Sequence, residues 1–207
     1  MKVVGAIVLA TAVSALPQGS WNVDTCPDNI LIVARGSIEQ GNTGTVIGGP
    51  LCAGLKKKYG AKFGCQGVGT ADGYPAAVGD NSKPKGTCDE CISGTIKMFG
   101  KMHTKCPKAN LMFMGYSQGG AIMSSAIPQL APDVKSKVIG GVLFGSTRQT
   151  ISGLTKDQFA SYCGSEDSIC NRVAKSGSTG SHLAYSKNGD VEKAVAFLSS
   201  KIDAAGK

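Results

Sequence analysis

Short apolar runs recur along the chain, and a glycine lies at or just beyond the end of each. They cover residues 29–34, 61–68, 111–114 and 138–145. A strand that is covered on both faces reads as a continuous apolar run rather than as an alternation of apolar and polar residues. These runs therefore predict the strands of a mostly parallel sheet.

The segments between the runs carry apolar residues at helical spacing. Ile92, Ile96 and Phe99, for example, form one apolar stripe. Helices are predicted at 46–59, from 87 or 88 to 106, from 117 to about 126, and at 190–202. Strands that alternate with helices predict one three-layer α/β/α domain, because the connections are too short to hold a second domain.

The longest stretch without such a pattern runs from Gly69 to Gly86. It is rich in glycine, proline, aspartate and asparagine, which are typical of surface loops. Long loops in compact domains are often functional. A functional surface loop is therefore predicted here.

The first fifteen residues have the pattern of a secretory signal. Lys2 precedes an apolar run at 3–13, and small residues at 13–15 permit cleavage after Ala15. We predict a signal peptide at 1–15 and a secreted domain at 16–207. Later runs fall short of the roughly 20 apolar residues of a membrane span, so stable membrane insertion is not expected.

Eight cysteines fit an extracellular protein. An even number of cysteines in a secreted chain usually forms disulfides. Cys88 and Cys91 have the spacing of half a zinc site, but the sequence contains no second Cys-x-x-Cys and no His-x-x-x-His pair. Disulfides are therefore favoured over a metal.

The formal net charge is +8, and the basic residues are scattered apart from the run 56–58. A basic surface could attract anionic polysaccharide or phospholipid. The lysine run 56–58 is better explained as the solvated end of a helix. Nucleic acid is not expected as a partner, because the chain carries a secretory signal, lacks a binding motif and contains only 6% aromatic residues.

The stretch Gly115-Tyr116-Ser117-Gln118-Gly119 connects a predicted strand to a predicted helix. In this G-x-S-x-G pattern a strained turn exposes a serine oxygen, and the glycines let strand and helix approach closely. In parallel sheets, sites lie at the carboxyl ends of strands, and Arg35-Gly36-Ser37 also follows one. Ser117 is therefore the candidate nucleophile.

A serine nucleophile needs a histidine base and an acid that orients the histidine. In α/β-hydrolases the acid and then the histidine follow the serine along the chain. Only His182 satisfies this order, because His103 precedes Ser117. His103 continues the stripe of its helix and is expected to be partly buried or to cap the helix end.

Four acids lie between the serine and the histidine: Asp133, Asp157, Glu166 and Asp167. Cys163 and Cys170 bracket Asp167, and a bridge between them would hold its carboxylate still, as an orienting acid requires. Asp167 is therefore favoured, with Glu166 as its rival.

Seven motifs in colinear order resemble the fungal cutinases, small secreted serine esterases related to the acetylxylan esterases. They are Arg35-Gly36-Ser37, Gly67-Val68-Gly69, Gly79-Asp80-Asn81 with Pro84 and Gly86-Thr87, Gly115-Tyr116-Ser117-Gln118-Gly119, Val142-Leu143-Phe144-Gly145, Asp167-x-x-Cys170, and His182-Leu183-Ala184-Tyr185. The resemblance spans most of the mature chain. It implies an α/β-hydrolase fold with a five-stranded central sheet and a carboxylic-ester hydrolase activity.

The resemblance also implies roles for single residues. Ser117 would be the nucleophile, His182 the base and Asp167 the orienting acid. The backbone amides of Ser37 and Gln118 would form an oxyanion hole, to which the Ser37 hydroxyl could add a donor. A helix N-terminus at Gln118 suits that role, since its free amides favour negative charge.

Disulfide pairings follow from the same resemblance. It implies Cys26–Cys106 and Cys163–Cys170, and some relatives have a bridge that matches Cys52–Cys65. Cys88 and Cys91 then remain and could pair with each other at a helix start.

Two loops depart from the cutinase pattern. The segment 171–181 before the histidine is longer and more polar than its largely apolar counterpart in cutinases, and the facing segment 70–75 is also polar. Candidate substrate contacts in these regions are Tyr74, Val173 and Leu183. The polar character argues against a strongly hydrophobic polyester groove.

We expect a secreted, monomeric esterase that needs no cofactor. Its expected substrates are short-chain soluble esters and cutin-like polyesters, or lipid-like esters, at a plant cuticle or cell-wall surface. The polar loops favour acetylxylan or another carbohydrate ester as an alternative. A wall-binding or host-interacting protein with incidental catalysis is a further alternative of a different class.

Overall fold

The computed structural model describes residues 19–171 and 180–206. The predicted signal peptide at 1–15 and the candidate contact residue Val173 lie outside these ranges.

A five-stranded, all-parallel sheet with the order β2-β1-β3-β4-β5 forms the centre of the molecule. The strands are β1 Asn29–Ala34, β2 Phe63–Gly67, β3 Asn110–Tyr116, β4 Val138–Phe144 and β5 Phe159–Tyr162. Every residue of β1 and β3 is buried, which explains why these strands read as continuous apolar runs. Ala34 pairs with Gly115, so the ends of β1 and β3 lie side by side.

In the described ranges, five α-helices cover the sheet: α1 Gly48–Tyr59, α2 Asp89–Lys105, α3 Gln118–Ala126, α4 Pro132–Lys135 and α5 Asp190–Ala204. The four predicted helices are confirmed to within two residues at each end. The predicted loop at 69–86 contains two short 3₁₀ turns, Thr70–Asp72 and Val78–Ser82.

Two apolar clusters lie on opposite faces of the sheet. Ile30 and Ile32 pack in one cluster with residues of α2 and α3. Leu31 and Val33 pack in the other with residues of α1 and α5. This alternation along β1 follows from the two-residue period of a strand. The three-layer α/β/α architecture is confirmed.

The structure contains four disulfides: Cys26–Cys106, Cys52–Cys65, Cys88–Cys91 and Cys163–Cys170. Cys88 and Cys91 are joined at the start of α2, close to the buried Asp80. Zinc binds a thiolate, so the disulfide form of this pair does not offer zinc ligands.

Helices that are both long enough and apolar enough to cross a bilayer are absent from the residues that the structure describes.

Candidate active site

Ser117 forms the tight turn between β3 and α3. Its φ of 54° and ψ of −119° are unusual for a residue with a side chain and cost about 1–3 kcal/mol. The Ser117 amide donates a hydrogen bond to the Phe144 carbonyl of β4 at 2.9 Å. A Cβ atom on Gly119 would lie 2.0 Å from the Ala34 carbonyl oxygen, so glycine is needed for α3 to start this close to β1. The local geometry is the strained turn that the G-x-S-x-G pattern predicts.

Strained backbone is concentrated around this turn. Within the described part of the chain, three residues other than glycine have a positive φ: Ile38 at 60°, Ala76 at 56° and Ser117 at 54°. The Ile38 amide donates to the Ala76 carbonyl at 3.0 Å, and Ile38 directly follows Ser37. Such strain clusters at functional sites, where surrounding contacts maintain it.

His182 contacts Tyr116, the residue that precedes the candidate nucleophile. The two rings stack with their centroids 5.1 Å apart, and the Tyr116 hydroxyl donates to the His182 carbonyl at 2.8 Å. His182 Nδ1 lies 2.8 Å from Asp167 Oδ2. A proton shared on Nδ1 leaves Nε2 as the basic nitrogen of the ring. Tyr116 immediately precedes Ser117, so His182 contacts the residue next to the candidate nucleophile along the chain.

The Asp167 carboxylate is fully buried and accepts four hydrogen bonds. Oδ2 accepts from His182 Nδ1 and from the Tyr185 hydroxyl, and Oδ1 accepts from the amides of Ile169 at 2.9 Å and Cys170 at 3.4 Å. Burial alone would raise the pKa of Asp167, but the hydrogen bonds from Tyr185, His182 and Ile169 hold that pKa below its ordinary value. The carboxylate therefore stays ionised beside the imidazole.

Gly145 leaves room for the Asp167–His182 pair, and Tyr185 donates a hydrogen bond to it. Neither residue was assigned a role from the sequence. Gly145 follows β4 with a φ of 52°, and a Cβ atom there would lie 2.7 Å from the His182 ring and 2.9 Å from Asp167 Oδ2. The Tyr185 hydroxyl donates to Asp167 and accepts from the Gly164 amide at 3.0 Å. Both residues belong to motifs that resemble those of cutinases, but their contacts join segments that are far apart in sequence, so the motifs did not indicate these roles.

Ser37 and Gln118, the candidate oxyanion donors, follow the adjacent ends of β1 and β3. Neither backbone amide donates a hydrogen bond to another group in the described part of the chain. Asn81 joins the two residues: its Nδ2 donates to Ser37 Oγ at 3.0 Å, and its Oδ1 accepts from Gln118 Nε2 at 3.0 Å. The sequence motif contained Asn81 without indicating this role.

The structure corrects the expectation that Tyr74 contacts substrate. Its side chain is 0% exposed, and its hydroxyl donates to the Arg35 carbonyl at 2.6 Å. Burial raises the pKa of the phenol, so the hydroxyl keeps its proton. Tyr74 therefore has no surface to offer a ligand.

The polar segment 70–75 contacts α2. It packs on α2 so closely that a Cβ atom on Gly94 would lie 1.7 Å from the Asp72 carbonyl oxygen. The part of the loop that reaches the site is 77–81, since Gln118 Nε2 donates to the Ala77 carbonyl at 2.8 Å. Segment 77–81 therefore contacts a candidate oxyanion residue directly, whereas Asp72 packs against α2.

Three exposed apolar side chains are close neighbours of candidate site residues along the chain. Ile38 is 76% exposed, Val78 58% and Leu183 67%. Ile38 follows Ser37, Val78 lies in the turn that carries Asn81, and Leu183 follows His182. The candidate contact residue Leu183 is thus exposed beside the imidazole.

The side chains rejected as base or orienting acid form no hydrogen bond or ion pair with Asp167 or His182 in the described part of the chain. His103 lies in α2, and its Nε2 is 3.6 Å from Asp133 Oδ2. Its ring is mostly buried, as expected. The side chains of Asp157 and Glu166 are exposed, whereas Asp167 is buried against His182.

A family model described as cutinase matches residues 25–202. The chain belongs to the cutinase family. "Probable cutinase 1" of Aspergillus niger is 40% identical over 196 residues, which cover 92% of this chain and 71% of the relative. The "Cutinase" of Didymella rabiei is 39% identical over 197 residues, which cover 92% of this chain and 84% of the relative. Membership of the cutinase family supports an ester hydrolase.

Solved structures confirm the cutinase-like fold. Trichoderma reesei cutinase in complex with a C11Y4 phosphonate inhibitor superposes with a TM-score of 0.73 at 27% identity and covers 89% of this chain and 80% of its own. An acetylxylan esterase at 0.90 Å resolution has a TM-score of 0.68 at 19% identity, with 86% of this chain and 100% of that chain covered. The second likeness is one of fold alone.

Proposed function

We propose that this protein is a secreted serine esterase that hydrolyses carboxylic esters through an acyl-enzyme on Ser117. One observation carries the proposal: the buried Asp167 holds His182, whose ring stacks on the residue before the strained Ser117. Four disulfides and the signal-like N-terminus support secretion.

Acylation begins when Ser117 Oγ attacks the ester carbonyl carbon. His182 Nε2 takes the serine proton, and Asp167 stabilises the imidazolium that forms. The carbonyl oxygen becomes an oxyanion and accepts hydrogen bonds from the amides of Ser37 and Gln118. When the intermediate collapses, the imidazolium gives its proton to the departing alcohol, and the acyl group remains on the serine.

Deacylation repeats these steps with water as the nucleophile. His182 takes a proton from water, the resulting hydroxide equivalent attacks the acyl carbon, and the released Ser117 Oγ regains the proton. Each group that the cycle needs belongs to one chain. The proposed enzyme therefore works as a monomer and without a cofactor.

The surroundings of the serine favour an apolar ester. Ile38, Val78 and Leu183 expose large apolar side chains and are near Ser37, Asn81 and His182 along the chain. Clustered exposed apolar residues mark sites of contact with ligands or surfaces. We propose cutin-like polyester and short-chain soluble esters as substrates, bound at a plant cuticle or cell-wall surface. The segment 171–181 is polar and keeps acetylxylan as the second candidate.

A substrate series separates these candidates. Turnover of p-nitrophenyl esters from acetate to palmitate should peak above acetate, and cutin should release hydroxy acids faster than acetylated xylan releases acetate. Leu183→Ser and Val78→Ser should each lower kcat/KM for butyrate by about tenfold, the loss expected for a buried apolar contact of roughly 1.4 kcal/mol, and should leave acetate nearly unchanged. A maximum at acetate together with preferred acetylxylan would replace the polyester proposal.

A further inference from the structure

An oxyanion hole requires its donors to be held in place before the reaction. The Gln118 amide begins a helix, but Ser37 lies in the irregular segment 35–39 after β1. A strained residue, Ile38, directly follows it. Something outside the regular secondary structure must therefore hold the Ser37 amide.

Arg35 holds the start of this segment. Its side chain is 4% exposed, and its guanidinium donates to four backbone carbonyls. Nε donates to Glu39 at 2.9 Å, Nη1 to Val68 at 3.1 Å and to Tyr74 at 3.4 Å, and Nη2 to Pro75 at 3.3 Å. One side chain thus joins both ends of the segment 35–39 to the loop 68–75.

Tyr74 returns a hydrogen bond to the same residue. Its buried hydroxyl donates to the Arg35 carbonyl at 2.6 Å, and the guanidinium carbon lies 5.1 Å from its ring centroid. The Arg35 carbonyl belongs to the peptide unit directly before the one that contains the Ser37 amide. Arg35 and Tyr74 therefore hold each other through three different contacts.

Two other contacts complete the attachment. The Ile38 amide donates to the Ala76 carbonyl at 3.0 Å. The Glu39 carboxylate accepts from the amides of Gly36 at 2.7 Å, Val46 at 2.8 Å and Thr45 at 3.0 Å. The amides on both sides of Ser37 are thereby occupied, whereas its own remains without a partner in the described structure.

We propose that Arg35 and Tyr74 are positioning residues that set the place of the Ser37 amide for the reaction. This inference rests on the proposed esterase function. Neither side chain touches the substrate, since both are buried. Their effect is on the rate of the chemical step, because a displaced oxyanion donor weakens transition-state binding more than substrate binding.

Tyr74→Phe is the cleanest test, because it removes one hydroxyl and keeps the ring over the guanidinium. Tyr59→Phe is the matched control: the Tyr59 hydroxyl donates to Asp203 Oδ1 at 2.8 Å and lies 3.2 Å from the Ser199 carbonyl, where α1 meets α5. With p-nitrophenyl butyrate, Tyr74→Phe should lower kcat by about tenfold and leave KM within about twofold, a smaller loss than the 10²–10³ for a deleted donor. Tyr59→Phe should change neither constant.

Amide hydrogen exchange tests, without relying on turnover, whether Tyr74 and Arg35 hold the segment 35–39. In Tyr74→Phe, the hydrogen-bonded amides of Gly36 and Ile38 should exchange about tenfold faster than in wild type, and Tyr59→Phe should match wild type there. Faster exchange with a lower kcat supports the proposal. Unchanged exchange overturns it, and so does faster exchange with an unchanged kcat or a rise in KM alone.

Failure of the underlying function has a different signature. A wild-type protein without esterase activity, or a Ser117→Ala variant with full activity, would remove the proposed reaction and leave the exchange result to stand by itself. Arg35→Lys gives a second comparison, since one ammonium group cannot reproduce four carbonyl contacts. It should slow kcat at least as much as Tyr74→Phe, and equal activity to wild type would overturn the role of Arg35.

Discussion

The Tyr116 hydroxyl donates to the His182 carbonyl at 2.8 Å, and the two rings stack. Tyr116 is the last residue of β3 and immediately precedes Ser117. One residue therefore links the position of the candidate base to the strand that carries the nucleophile. This contact joins the segment that carries the candidate base to the strand that leads into the nucleophile turn.

Tyr116→Phe should retain the ring and lose the hydrogen bond. A typical net loss of about 1 kcal/mol per hydrogen bond predicts a fall in kcat of about fivefold with KM unchanged, measured with p-nitrophenyl butyrate. Tyr162→Phe is the control, because it also removes one tyrosine hydroxyl, from a ring that stacks on Phe144 in the edge strand β5. An equal loss in both variants would show that the effect is one of general stability.

Tyr185→Phe should change the pH dependence of the reaction. The Tyr185 hydroxyl donates to Asp167 and helps to hold the pKa of Asp167 below its ordinary value. Without that donor the carboxyl has a higher pKa and is protonated at higher pH, so activity should be lost earlier as the pH falls. The acid limb of kcat/KM should therefore move to higher pH, while the plateau falls by about tenfold because a hydrogen bond to a charged group is worth about 1.5–3 kcal/mol.

The pH profiles of Tyr185→Phe and Tyr162→Phe should be compared in the same buffers. Tyr162→Phe should keep the wild-type limb. A limb in Tyr185→Phe that stays in place or moves to lower pH would contradict the role given to this hydroxyl.

The Cys163–Cys170 disulfide should matter more for catalysis than the Cys52–Cys65 disulfide. The first closes the loop that holds Asp167, and the second joins α1 to β2. Replacing either pair with serine should lower the free energy of unfolding by about 2–4 kcal/mol, measured by urea titration. Only loss of Cys163–Cys170 should also lower kcat, by about tenfold or more, since a small displacement of a catalytic group can cost 10²-fold.

Equal effects of the two disulfides on kcat, measured well below either melting temperature, would argue against this account. They would show that the Asp167 loop keeps its shape without its bridge.

Sequence patterns predicted the parts of the fold that depend on local burial. β1 and β3 are buried throughout and were visible as apolar runs. β5 was not recognised as a strand, because all four of its residues are only partly buried at the sheet edge. An edge strand of this length has neither a continuous apolar run nor a long alternation.

The residues of the candidate site could be predicted where a sequence motif marks a strained turn. The residues that contact them from distant loops could not. Ser117 and His182 followed from spacing and chain order, and the structure places them around one residue, Tyr116. Tyr74 was assigned wrongly because its burial depends on Arg35, at the end of another strand. The contacts of Asn81 and Tyr185 likewise join segments far apart in sequence.

The central claim is that Ser117 becomes acylated, and covalent labelling tests it most directly. Wild-type protein treated with a p-nitrophenyl alkylphosphonate should gain one phosphonyl group by intact mass and lose esterase activity in parallel, and Ser124→Ala, altered further along α3, should behave in the same way. Ser117→Ala should gain no group and should hydrolyse p-nitrophenyl butyrate at least about 10⁴-fold more slowly. Undiminished turnover by Ser117→Ala, or a label on another residue, would contradict the mechanism.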